Sequence, residues 1–293
     1  MFLCRFPARF FVMFPRPLHH TLRRAALLAG WFVLWVIPVH GHGSFHEQVE
    51  VVNAALRDRP NDPSLVFRLA VLNLEHGDWE AALVHVARVD QLAPKKFATD
   101  LLRGQALAAG GKFDAARAKL DTFISAHPGH AAALATRAKV VSELGDPRQA
   151  AADCAAAIAA TPHPEPDAYF NLANFLVAAG KSPEAVRALD EGIEKLGLLP
   201  AFVELAIDLE LSLGRTDAAI ARADARLAAT PPALRPPQMA MRAKVLARAG
   251  RIAESRAAWQ ALREHLATLP PLERASHSML RLAEQASRAL DSK

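Results

Sequence analysis

Histidine is the residue type in best supply for chemistry, with twelve in 293 residues. The stretch "HGHGSFH" sets His40, His42 and His46 close together, three imidazoles of the kind that bind divalent metals. Glycines separate them, so nothing fixes their geometry, and a loose cluster holds metal weakly. The remaining histidines are scattered. No H-E-x-x-H, G-x-S-x-G or C-x-x-C occurs, and "GGK" at Gly110 to Lys112 lacks the rest of a phosphate-cradling loop. Cysteine is limited to Cys4 and Cys154. Cys154 falls in "AADCAAAIAA", where a small apolar side chain fits, so a buried, inert thiol is expected. These residues predict no catalytic centre, no cofactor and no metal site. They point to an interaction module rather than an enzyme.

Charge divides the chain unevenly. The formal net charge is +5, yet the first 43 residues hold five arginines and no acid. The remainder is formally neutral, without the basic footprint that nucleic acid demands, so no nucleic-acid partner is expected. In the first segment Arg23 and Arg24 precede the uncharged run Ala25 to Ile37; Pro38 and small residues follow. Basic, apolar, small is the order of a secretory signal peptide. The run is shorter than the ~20 residues of a membrane-spanning helix. Cleavage after Gly41 or after Gly43 fits, and Met1 or Met13 can serve as the start. Cys4 precedes the run and is not placed for lipoprotein acylation. Left uncleaved, the same segment would hold the body on the outer face of the inner membrane. Export to a bacterial periplasm or beyond is expected in either case. Cleavage at either point would remove His40 from the histidine cluster, which leaves weak metal handling as a rival reading.

The body repeats. Gly77, Gly111, Gly145, Gly180, Gly214 and Gly250 recur at intervals of 34 to 36 residues. Five residues after each comes a small side chain: Ala82, Ala116, Ala150, Ala185, Ala219 and Ser255. Seventeen after four of them comes Pro94, Pro128, Pro162 or Pro231. Gly197 takes that place in the fourth unit. Each residue type has a mechanical use. The glycine ends a helix in the left-handed region, the small residue lets two helices approach, and the proline stops the second helix. Between these marks apolar residues fall at helical spacing, as in "SLVFRLAVLNLEHG" with Val66, Leu69, Ala70 and Leu72. The sequence therefore predicts an all-α fold of antiparallel helix pairs. Two seams, "TPHPEPDAYF" and "TPPALRPPQMA", add residues, and the prolines of the second are expected to stiffen a longer loop.

With this period and these offsets the chain resembles the tetratricopeptide repeat (TPR) family. Gly77, Trp79, Ala82 and Pro94 match its turn glycine, aromatic, second-helix alanine and terminal proline; Gly104 matches the small residue of its first helix. The resemblance implies a right-handed α-solenoid whose first helices line a groove for a protein or peptide partner. It places the groove side chains six residues before each glycine, at Val71, Gln105, Lys139, Asn174, Asp208 and Lys244. A second row lies one turn earlier, with Phe67, Leu101, Phe170 and Glu204. Family members that clamp a C-terminal carboxylate use lysines and asparagines at fixed groove positions; Lys139 and Asn174 are too sparse for that. Arg103, Arg137 and Arg242 share another position, where a structural ladder to neighbouring acids is expected.

The domain plan is then a signal peptide or anchor over 1–43, a half repeat over 44–62, six repeats over 63–271 and a capping helix over 272–293. Leu272, Ala275, Met279, Ala283 and Ala286 are read as one apolar face of that last helix. The expected role is an exported scaffold or assembly factor; the membrane is a partner only if the first segment stays uncleaved.

Overall fold

The computed structural model describes residues 45–291. The expected signal segment and its expected cleavage points, with His40 and His42, all lie outside the described residues. Within them run fifteen α-helices, one short 3-10 turn and no strand. A single helix, α1 (Phe45–Asp58), comes first. Six pairs follow: α2 (Pro63–Glu75) with α3 (Trp79–Leu92), α4 (Thr99–Ala109) with α5 (Phe113–Ala126), and α6 (Ala131–Glu143) with α7 (Pro147–Ala159). Then come α8 (Pro166–Ala178) with α9 (Ser182–Leu196), α10 (Pro200–Ser212) with α11 (Thr216–Ala229), and α12 (Arg235–Arg248) with α13 (Ile252–Thr268). A one-turn helix, α14 (Pro271–Arg274), and α15 (His277–Asp291) end the chain. From α1 to α13 each helix packs on the next in sequence, and α15 packs on α13, which makes an α-solenoid.

The repeating glycine closes the first helix of every pair in the same way. Gly77 has φ +83°. Its N–H donates to the Leu74 carbonyl at 3.0 Å, and the Asp78 N–H to the Asn73 carbonyl at 2.9 Å. That pair of bonds satisfies two carbonyls the helix end would leave free. The five equivalent glycines repeat the sign of φ and both bonds. The small residue five positions later is fully buried in each of the five units that carry alanine. Ser255 replaces it in the sixth, and its hydroxyl donates to the Ala243 carbonyl of the facing helix at 2.8 Å. A buried hydroxyl is thereby satisfied rather than stranded.

The second seam departs from expectation. Pro232–Leu234 form the 3-10 turn, but Pro236 and Pro237 lie inside the first turn of α12. They begin a helix instead of stiffening a loop. Proline is accepted there because the first N–H groups of a helix have no partner to lose. At the C-terminal end Leu272 is 90% exposed, and Ala275 lies between α14 and α15. The packed face of α15 is Met279, Leu282, Ala283 and Ala286, set against Trp259, Leu262 and Leu266 of α13. Pro270 and Pro271 break the chain before that helix, so Leu272 falls out of its phase.

Candidate functional site: the first-helix groove

First helices of neighbouring pairs touch: α2 meets α4, and α4 meets α6. In the first three pairs no second helices come as near, which puts the first helices on the inside of the curve there, and α12 likewise meets α15. Three hollows run along this face. The first, about 540 Å³, is lined by Phe67, Val71, Leu101, Gln105, Thr136 and Lys139. The second, about 400 Å³, lies among α6, α7 and α8 and includes Lys139, Cys154, Asn171 and Phe175. The third, about 420 Å³, holds Glu204, Asp208, Met241, Lys244, Arg248 and Gln285. Each is of the size that receives a ligand side chain or short segment.

The sequence-predicted groove residues are thus distributed, not gathered. Phe67, Gln105 and Lys139 share the first hollow; Glu204, Asp208 and Lys244 share the third. Asn174 is exposed and lines none of the three. Phe170 is half-buried and packs against the core of the fourth pair. Phe67 stacks on Phe97, with ring centroids 5.1 Å apart. Asp208 is held by Arg248 at 2.5 Å, both about half exposed. Such a pair contributes little to stability and leaves both groups open to exchange partners.

Cys154 and Asn171 were not foreseen as groove residues. The second hollow opens because of what is missing. At the row that carries Phe67, Leu101 and Phe170, the third pair carries Ala135. That offset is legible in the sequence, but a gap in a row of bulky residues draws no notice until its neighbours are in place. Burial pushes the Cys154 thiol up to about 11; Lys139 works against this and Asp153 adds to it. Its S–H points at the Ala168 carbonyl at 3.5 Å. The thiol is therefore protonated at neutral pH and is not a nucleophile at rest. Among the described residues no group of three or more His, Cys, Asp or Glu side chains could hold a metal.

The arginine row is a set of clamps between pairs. Arg137 in α6 binds Asp153 of α7 through two N–H groups at 2.7 and 2.8 Å, and Asp121 of α5 at 2.8 Å. Arg103 in α4 reaches Asp90 of α3 at 2.6 Å, and Arg242 in α12 bonds Asp224 of α11. Burial alone would raise the Asp90 carboxyl, but hydrogen bonds from Arg103 and Thr99 hold it below the usual carboxylate range. Arg222 extends the set from a second helix. It spans Asp190 at 2.6 Å and the buried Glu210 at 3.0 Å. None of these cations is free for a partner.

Tetratricopeptide repeat models match residues 101–163 and 141–197. Together they mark residues 101–197, about a third of the chain, as similar to tetratricopeptide repeats. Among solved structures, YrrB, described as a TPR protein with an unusual peptide-binding site, is 16% identical. The match covers 60% of this chain and 90% of that one, with a TM-score of 0.50. A tetratricopeptide repeat protein from Parabacteroides merdae is also 16% identical, covering 84% and 93%, with a TM-score of 0.48. MamA from Desulfovibrio magneticus is 19% identical over 52% and 85%, with a TM-score of 0.46. At 16% identity the YrrB likeness speaks to the fold alone. No curated protein matches the chain.

Proposed function

We propose that this repeat protein is a non-catalytic scaffold or assembly factor that holds a protein or peptide partner against its first-helix face. The observation that carries the reading is the run of three hollows along one face, each pairing apolar walls with polar side chains. Extended inner surfaces are what such arrays offer to partners. The peptide-binding description of YrrB agrees with it. Residues 1–43 have the composition of an export signal, so the partner is sought outside the cytoplasm. Among the described residues no helix is long and apolar enough to cross a membrane, and anchoring would fall to Ala25–Ile37 if uncleaved.

The test is a cross-linked pull-down from the exported fraction, with the wild type beside Gln105→Ala/Lys139→Ala/Asp208→Ala, which alters all three hollows. A partner captured by the wild type alone supports the groove. Equal capture by both moves binding off this face. Intact mass of the captured protein tests export separately: a first residue of His42 or Ser44 means cleavage, and a retained Ala25–Ile37 means an anchor.

A further inference from the structure

The hollow among α6, α7 and α8 has a composition unlike the other two. Its walls include Ala131, Ala132, Ala135, Ala157 and Ala168, with Ile158 and Phe175. Ala135 stands where the flanking pairs place Leu101 and Phe170, so a side chain's volume is left open there; the same offset holds Ala240 in the sixth pair, beside the third hollow. The extra residue of "TPHPEPDAYF" falls in the connection from α7 to α8, at the same place.

Charge at this hollow is ordered. Lys139 lies toward the C-terminal half of α6, and Glu165 and Asp167 lie at the start of α8. First helices run in the same direction, so the cation and the two anions mark opposite ends of the cavity. These three side chains and Asn171 make no hydrogen bond or ion pair within the described residues. Arg103, Arg137 and Arg222 are fully engaged by acids. A cavity that is apolar in its walls and leaves opposite charges unspent at its two ends is complementary to a ligand of the reverse order.

We infer that this hollow is the anchor site of the groove. It takes one bulky apolar side chain of an extended peptide that carries an acidic residue toward Lys139 and a basic residue toward Glu165 and Asp167. The inference rests on the groove reading above and adds the class of peptide. Anchor residues seated in a desolvated pocket carry most of the energy of such interfaces. The opposite charges at either end fix which way the peptide lies.

Random short peptides displayed on phage are selected against the full chain, and enriched sequences are remade as fluorescent peptides for anisotropy. The decisive variant is Ala135→Phe, which restores to this row the residue found at positions 67 and 170. Enriched peptides should share a bulky apolar residue between opposite charges. They should lose at least tenfold in affinity for Ala135→Phe, and in Lys139→Glu the preference for an acidic neighbour should disappear. In Asp167→Lys the preference for a basic neighbour should disappear as well, because that carboxylate lines the other end of the cavity. If Ala135→Phe fails to fold, Lys139→Glu and Asp167→Lys decide. Peptides that bind Ala135→Phe undiminished and keep both charge preferences in Lys139→Glu and Asp167→Lys, yet weaken with Asn174→Ala/Asp208→Ala, overturn the anchor and keep the groove. No enrichment over a folded control protein overturns both.

Discussion

Arg137 and Asp153 show how a charged residue can be structural in a neutral solenoid. The Asp153 side chain is only 4% exposed and Arg137 is 18% exposed. Taking them out of water is costly, and the cost is met by two N–H bonds from one guanidinium, a third to Asp121, and Gln149 at 2.7 Å on the carboxylate. Arg137→Ala leaves Asp153 buried with Gln149 as its one remaining side-chain partner. It should lower stability by about 3 kcal/mol in chemical denaturation, the range for breaking a buried pair. Arg117→Ala is the comparison. Its pair with Asp121 is 3.7 Å long and about half exposed, so its loss should shift the midpoint by under about 1 kcal/mol. Equal effects would mean that the Arg137 clamp is as dispensable as a surface pair.

The helix pair is the unit in which the sequence speaks most clearly. Six glycines at helix ends repeat one backbone geometry, and the space around them separates backbone cost from crowding. A Cβ added at Gly145 would meet nothing within 4 Å, but φ is +84°. Gly145→Ala should therefore cost about 1–2 kcal/mol through the left-handed backbone alone. Gly129→Ala, also in open space but without a left-handed φ, should fall within about 1 kcal/mol of the wild type or be slightly stabilising. Urea midpoints of the two variants compare them directly; similar losses would place the cost somewhere other than φ. Gly192 works differently. It sits inside α9, where a Cβ would come within 2.8 Å of the Phe202 ring and 3.1 Å of Tyr169. Its role is close approach, and no repeat offset marks it, because the aromatics it admits come from other helices.

For the described solenoid as a whole, the ends matter as much as the repeats. The sixth pair buries Trp259, Leu262 and Leu266 beneath Met279, Leu282, Ala283 and Ala286. Deleting residues 271–293 would bare that apolar surface, and a terminal repeat without a polar cover associates with its own kind. Size-exclusion chromatography with light scattering should show a monomer-sized wild-type peak giving way to oligomers or aggregate in the truncation. A truncated chain that elutes as the wild type does would mean α15 is not a cap. At the other end α1 covers Leu69 and Leu72 through Val52 and Val49.

The amino-acid sequence by itself determined the helix pairs, their number, their turn glycines and the identity of the first-helix rows. Those features are local: a left-handed turn, a helix stop and an apolar period of 3.6 are each carried by residues a few positions apart. It also marked Arg103, Arg137 and Arg242 as one recurring position. Only the tertiary structure decided which acids they meet, since Asp90, Asp121, Asp153 and Asp224 follow no common offset from their partners. The same holds for the site. That Phe67, Gln105 and Lys139 share a hollow, that Asn174 shares none, and that Ala135 opens a cavity floored by Cys154 all depend on three helices meeting. Absence of bulk becomes a feature only when the neighbours that could have filled the space are fixed around it.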